Sequence, residues 1–209
     1  ISSLVCLQVD IFDDDSGYRV TEQCPSEMSF PSASKGFEGA ASLRGKDGLL
    51  YVLGLCEGNH CQDGSTGRDA GNGQIVVMTK AAGDAVPGFD CYWKTVTTLA
   101  IPRTGANFLD YSAISLHPST KMVAISSQEN SQVWVGKLHG GTDGEFDPAT
   151  ASFHDDIATV YDFPRTASGN CEVQYCNVEG LAWVETGGNL GDDGDGETAD
   201  TPMVLVAVS

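Results

Sequence analysis

Basic residues are scarce in this chain. It carries 11 Lys and Arg against 29 Asp and Glu, a formal net charge of −18. Such a surface repels phosphate backbones and anionic lipid, which argues against nucleic acid as a partner. Long apolar runs are also missing. The longest, Leu49 to Cys56, is far too short to span a bilayer, so membrane insertion is not expected. Helical periodicity is absent too: nowhere do apolar residues recur at i, i+3, i+4 and i+7 for three turns. There is no H-E-x-x-H, no G-x-S-x-G, no Gly-rich phosphate loop and no C-x₂-C pair. No catalytic residue is therefore nominated, and the zinc-site class is disfavoured. An initiating Met is lacking as well. The chain opens on SSLVCLQVDI and closes on MVLVAVS, both strand-like, which reads as an internal piece of a longer polypeptide.

What is present is a segment written three times. Residues 36–59 read GFEGAASLRGKDGLLYVLGLCEGN, and residues 109–130 read LDYSAISLHPSTKMVAISSQEN. A third copy begins at 177 with NVEGLAWV, is interrupted by an acidic insertion, and resumes at 202 with PMVLVAVS. Each copy is a small-residue strand, a turn and a strongly apolar strand. Two more strands follow each of the first two copies: GQIVVMTKA and CYWKTVTTLAIP after the first, SQVWVGKL and HDDIATVYDFP after the second. Together with SSLVCLQVDI and YRVTEQC ahead of them, the count is twelve strands joined by Gly-, Asp- and Pro-rich turns. Glycine, at 25 residues, suits this strand-and-turn reading.

Seven cysteines suggest disulfides and an oxidising, extracellular setting; reduced core thiols are the alternative. Folding the first hairpin about residue 15 sets Cys6 opposite Cys24, within reach of a bond. Cys56–Cys61 and Cys171–Cys176 each enclose four residues and would pinch a loop. Cys91 is left over, unpaired or bonded outside the segment.

Four antiparallel strands per repeat, in meandering order, are the grammar of a β-propeller blade. The expected fold is all-β, a propeller of four-stranded antiparallel blades, with about three blades' worth of a larger ring. Residues 1–24 would supply the two outer strands of one blade, 36–102 and 109–164 two full blades, and 177–209 the two inner strands of another. The motifs "Glu-Gly-small-apolar, turn, Leu-Tyr-Val" at 38–52 and Glu-Gly-Leu-Ala-Trp at 179–183 resemble the SdiA-regulated and phytase-like propeller families. They resemble NHL-type and gluconolactonase-type propellers more distantly. The second copy departs from the pattern, with Asp110-Tyr111-Ser112-Ala113 where the others have Glu-Gly.

The resemblance implies that the first strand of each blade lines a central channel. Glu38 and Glu179 would then face its mouth, with Asp110 or Ser112 at the equivalent place, and Glu57 with Asn59, and Glu129 with Asn130, on the same rim. Gluconolactonase-type propellers use a glutamate at such a strand start as a metal ligand. Glu38, Asp110, Glu179, Glu57 and Glu129 are accordingly the candidate ligands, and calcium is the cation that oxygen donors of this kind suit. The competing role is structural: Glu beside Gly bonding neighbouring backbone N–H groups. Local cations look few, since Arg44 and Lys46 fall at the far end of the first strand.

The insertion Asp192-Asp193-Gly194-Asp195-Gly196-Glu197 opens like a calcium loop, but Thr198 stands where glycine is wanted and no closing Glu follows. A solvated loop is the better reading. His117 and the three tryptophans (Trp93, Trp134, Trp183) are expected to be structural.

The functional expectation is a non-enzymatic extracellular module serving adhesion, scaffolding or assembly. Its partners would be the rest of the same polypeptide completing the propeller, other proteins, or further copies. The alternative is a calcium-dependent phytase-like or lactonase-like hydrolase using the rim carboxylates.

Overall fold

The computed structural model describes residues 5–11, 17–30, 35–57, 61, 69–140, 145–154, 157–168, 177–185 and 202–208. The described residues form thirteen strands and no helix. None of them therefore forms a helix long and apolar enough to cross a membrane.

Strands β1 (Val5–Ile11) and β2 (Tyr18–Pro25) make a hairpin. Strands β3 (Phe37–Arg44), β4 (Leu50–Cys56), β5 (Gln74–Ala82) and β6 (Cys91–Ala100) follow as a four-stranded antiparallel meander in chain order. A second meander contains β7 (Ala113–Leu116), β8 (Met122–Ser127) and β9 (Gln132–His139). Its outer position is shared by β10 (Ser152–Phe153) and β11 (Thr159–Asp162), which pair with opposite ends of β9. The last hairpin is β12 (Val178–Glu185) with β13 (Pro202–Val208).

Hydrophobic periodicity explains how these four units stack. Along β4 and β5, Tyr51, Leu53, Leu55, Ile75 and Val77 face one way and join a core with Ile114, Val123, Ile125 and Trp134 of the second sheet. The alternate residues Val52, Cys56, Val76 and Met78 face the other way and pack with Cys24 and Trp93. The unbroken apolar run LYVLGLC is thus the signature of a strand buried on both faces, and period-2 direction sorts its residues into two cores. The second sheet repeats the device: Ala124 and Val133 meet Val178, with Leu181 and Trp183 of β12 packed against them. The units therefore stack face to face in chain order. Their first strands lie together, β3 beside β7 and β7 beside β12.

Glycine is needed where those first strands meet. A Cβ on Gly39 would stand 3.0 Å from the Ile114 backbone nitrogen, so β7 approaches β3 at a distance no larger residue accepts unshifted.

Three sequence expectations change. The outer strand expected at 154–164 is divided into β10 at Ser152–Phe153 and β11 at Thr159–Asp162, with the His154 N–H still donating to the Lys137 carbonyl at 3.2 Å; Asp155 and Asp156 lie outside the described residues. The first hairpin has the expected register, Cys6 opposite Cys24, yet Cys24 is bonded to Cys91 with Cα atoms 5.1 Å apart. Cys91 is thus neither unpaired nor bonded outside the segment. The reason is direction: Cys24 is buried against the first sheet, where Ser26 bridges to Trp93 and the Glu27 N–H donates to the Trp93 carbonyl at 3.1 Å. Cys56–Cys61 is formed as expected. Cys171–Cys176 and the insertion at 191–197 lie outside the described residues.

The tryptophans and His117 are structural, as expected. Trp93 and Trp134 are buried, and Trp183 donates its indole N–H to the Ser115 carbonyl at 3.2 Å. His117 is buried edge-on to Trp183, and its Nδ1 accepts from the Thr120 N–H at 3.3 Å.

Candidate functional site

The starts of β3 and β12 share one local device. In the first pair Phe37 faces Cys56 while Gly39 faces Leu55, so Glu38 is an extra residue. In the last pair Val178 faces Val208 while Gly180 faces Ala207, so Glu179 is the extra residue. Each glutamate is the bulged residue of a β-bulge, a feature that re-aims a side chain at a sheet's end. In the second sheet the Ser112 N–H donates to the Ser126 carbonyl at 2.9 Å while Ala113 already faces Ser126. Two residues again serve one partner. Ser112, not Asp110, therefore holds the position of Glu38 and Glu179.

Around the first bulge the carboxylates gather. Glu38 and Glu179 are both exposed. The pKa of Glu38 is raised above the usual glutamate value, first by partial burial, then by the charge of Glu57 and a hydrogen bond with it. Lys35 works in the opposite direction, and the charge of Glu179 adds to the rise. Lys35 donates to Glu57 Oε1 at 2.7 Å. Glu38, Glu57 and Glu179 thus share one electrostatic neighbourhood, with Lys35 as its near cation.

Lys35 is the residue the sequence reading missed. Its signal was its place three residues before Glu38. Arg44 and Lys46 lie at the other end of β3, as expected. Arg44 donates to the Gly48 carbonyl at 3.2 Å, and Lys46 pairs with Asp147.

Asp110 and Glu129 belong to a different local structure. Asp110 is buried and accepts from the Ser127 hydroxyl, from the Gln128 N–H at 3.2 Å and from the Glu129 N–H at 3.1 Å. It closes the loop after β8. In the first sheet the same closure is made by backbone alone, the Glu57 N–H donating to the Gly36 carbonyl at 3.2 Å. Asn130 joins the loop, its Oδ1 accepting from the Leu109 N–H at 2.9 Å. Asn59 lies outside the described residues.

No family model, curated protein or solved structure matches this chain. Its chemistry has to be read from the groups themselves.

Among the described residues, three metal-ligating groups come within 4.8 Å of one another only at Glu22, Cys24 and Cys91. Two of those sulfurs form a disulfide and offer no thiolate, so this trio is not a metal centre. The carboxylates that a calcium ion would use are Glu38, Glu57 and Glu179, and they would have to draw closer to coordinate it. As it stands, this group of carboxylates can attract a cation and can hold a proton on Glu38 at a higher pH than an ordinary glutamate would.

Proposed function

We propose that this chain forms an arc of a β-propeller in an extracellular protein, and that the propeller serves adhesion, scaffolding or assembly. Several features support the ring. Successive sheets stack face to face, their first strands lie side by side, and a bulge recurs at the same point of β3 and β12. The hairpin β12–β13 carries the bulge that marks the inner half of such a sheet, and β2 packs beside β6 as an outer strand would. Two disulfides fit an oxidising environment. The remaining sheets would come from other parts of the same polypeptide, from a protein partner or from self-assembly.

One observation carries the scaffold reading: Asp110, Asp47 and Asp147 each hold a loop or turn in place. Asp110 closes the β8 loop, Asp47 accepts from the Tyr51 hydroxyl at 2.7 Å and from the Leu49 N–H at 3.0 Å, and Asp147 accepts from Lys46 and from the Ala149 N–H at 3.0 Å. These bonds lower the pKa of Asp47 and Asp147 and fix turns.

The gathering of Glu38, Glu57 and Glu179 favours a second reading, a calcium-dependent hydrolase of the phytase-like or lactonase-like kind. Thermal unfolding with and without calcium separates the two, using the natural chain and the Glu38→Gln/Glu179→Gln double variant. A scaffold is indifferent to calcium in both proteins. A calcium-dependent rise in Tm in the natural chain alone would overturn the scaffold reading.

A further inference from the structure

The two meanders treat their outer edges differently. In the second sheet the outer strand is divided between β10 and β11, with two and four residues, and short edges of this kind resist further pairing. In the first sheet the outer strand β6 is a continuous ten residues. Its first half is already covered. Ser26 bridges to Trp93 in parallel, the Glu27 N–H donates to the Trp93 carbonyl at 3.1 Å, and the Glu27 carboxylate accepts from the Thr95 N–H at 2.7 Å. A bulge at Val96 then separates this covered half from the rest, since Thr95 faces Met78 and Thr97 faces Val77.

Beyond the bulge the edge is open. The Ile101 N–H donates to the Gly73 carbonyl at 3.0 Å, which fixes the phase of the ladder. Because N–H and C=O of alternate residues point to alternate sides, Leu99 and Thr97 bond towards β5 while Thr98 and Ala100 point away from it. Thr98 and Ala100 are exposed, and their outward N–H groups find no partner among the described residues.

An open groove of about 480 Å³ runs along this half-strand, between it and β10. Its apolar wall includes Leu99, Ile101 and Phe153, and Arg103 stands at its side. Arg103 is oriented by bonds from Nε to the Gly71 carbonyl at 3.1 Å and from Nη2 to Asn72, which leaves Nη1 for another acceptor. Among the described residues no Asp or Glu lines the groove.

We infer that the open half of β6 takes an extended peptide segment of a partner protein by strand addition. The partner's backbone pairs with Thr98 and Ala100, continuing the pairing that Ser26 and Glu27 begin. An apolar side chain of the partner enters the groove, and a side-chain carboxylate meets Arg103. This edge exists whether or not the sheets belong to a ring, so its test is independent of the calcium experiment.

The probe is a blocked, fluorescein-labelled peptide, acetyl-Ser-Val-Thr-Val-Glu-Thr-amide, titrated with the intact chain and followed by anisotropy. Thr98→Pro removes one outward N–H at an edge position where β5 pairing does not use it, so thermal stability should change little. Binding to the natural chain, lost in Thr98→Pro at unchanged Tm, supports the inference. Arg103→Gln should weaken the Glu peptide about tenfold and leave a Gln-containing peptide unaffected. Absence of binding to the natural chain would overturn it, as would equal binding by Thr98→Pro. Should Thr98→Pro unfold, protection of the Thr98 and Ala100 amides from hydrogen exchange by the peptide decides the matter in the natural chain. Concentration-dependent self-association abolished by Thr98→Pro would assign the edge to a second copy instead, and would equally overturn a peptide partner.

Discussion

Cys24 and Cys91, separated by 67 residues, are joined by a disulfide that ties the hairpin β1–β2 to the outer strand of the first sheet. That tie is helped by Ser26 and Glu27 beyond Pro25 and by the Lys80–Glu22 ion pair, while Tyr18 to Thr21 of β2 are exposed. The cross-link is the covalent part of that docking.

Loop-closure entropy puts a size on this. Closing 67 residues stabilises by about 4 kcal/mol, whereas the five-residue separation of Cys56 and Cys61 gives about 2 kcal/mol. Urea unfolding of Cys24→Ser/Cys91→Ser should show the larger loss, and Cys56→Ser/Cys61→Ser the smaller. Equal losses would mean that the long bridge adds nothing beyond a local staple.

Asp110, itself buried, supplies the acceptor for a hydroxyl and two backbone N–H groups of the loop after β8. Asp110→Ala leaves all three without it, and the expected loss is about 3 kcal/mol in chemical denaturation. Asp110→Asn keeps one acceptor oxygen and should lose less. A neutral Asp110→Ala would mean that the loop closes by backbone alone, as it does at Gly36 in the first sheet.

Glu38 has a raised pKa, so its ionised form is less favourable in the folded chain than in the unfolded one. The stability tied to its protonated form is complete below the ordinary value of 4.5 and is lost as pH rises through the raised one. Glu38→Gln should consequently exceed the natural chain in Tm at pH 7, by about 1–2 °C for so exposed a group, and match it near pH 4. Differential scanning calorimetry at the two pH values checks this. A difference that grows on acidification would reverse the sign and refute it.

The approach of β7 to Gly39 predicts a fourth effect. Gly39→Ala places a methyl 3.0 Å from the Ile114 nitrogen, so one strand must move, at a cost of about 1–3 kcal/mol. Gly48→Ala is a useful contrast. Its added Cβ would meet nothing within 4 Å, but φ of +78° makes the strain purely conformational. Loss of the close contact should appear in the amide shift of Ile114 for Gly39→Ala alone.

Much of the secondary structure was legible because its signals are local. Alternation and turn residues located the strands, the spacing between the first two strands opposed Cys6 to Cys24, and the short loop paired Cys56 with Cys61. The grouping into repeats rests on the same near-neighbour pattern. Tertiary structure alone decided what depends on direction and on stacking between units. It turned Cys24 towards Cys91, gave the bulge position to Ser112 while Asp110 closed a loop, and brought Lys35 to the carboxylates. A period of two says which residues share a face; it does not say which neighbouring sheet that face will meet, or whether one extra residue will slip the phase where a strand begins.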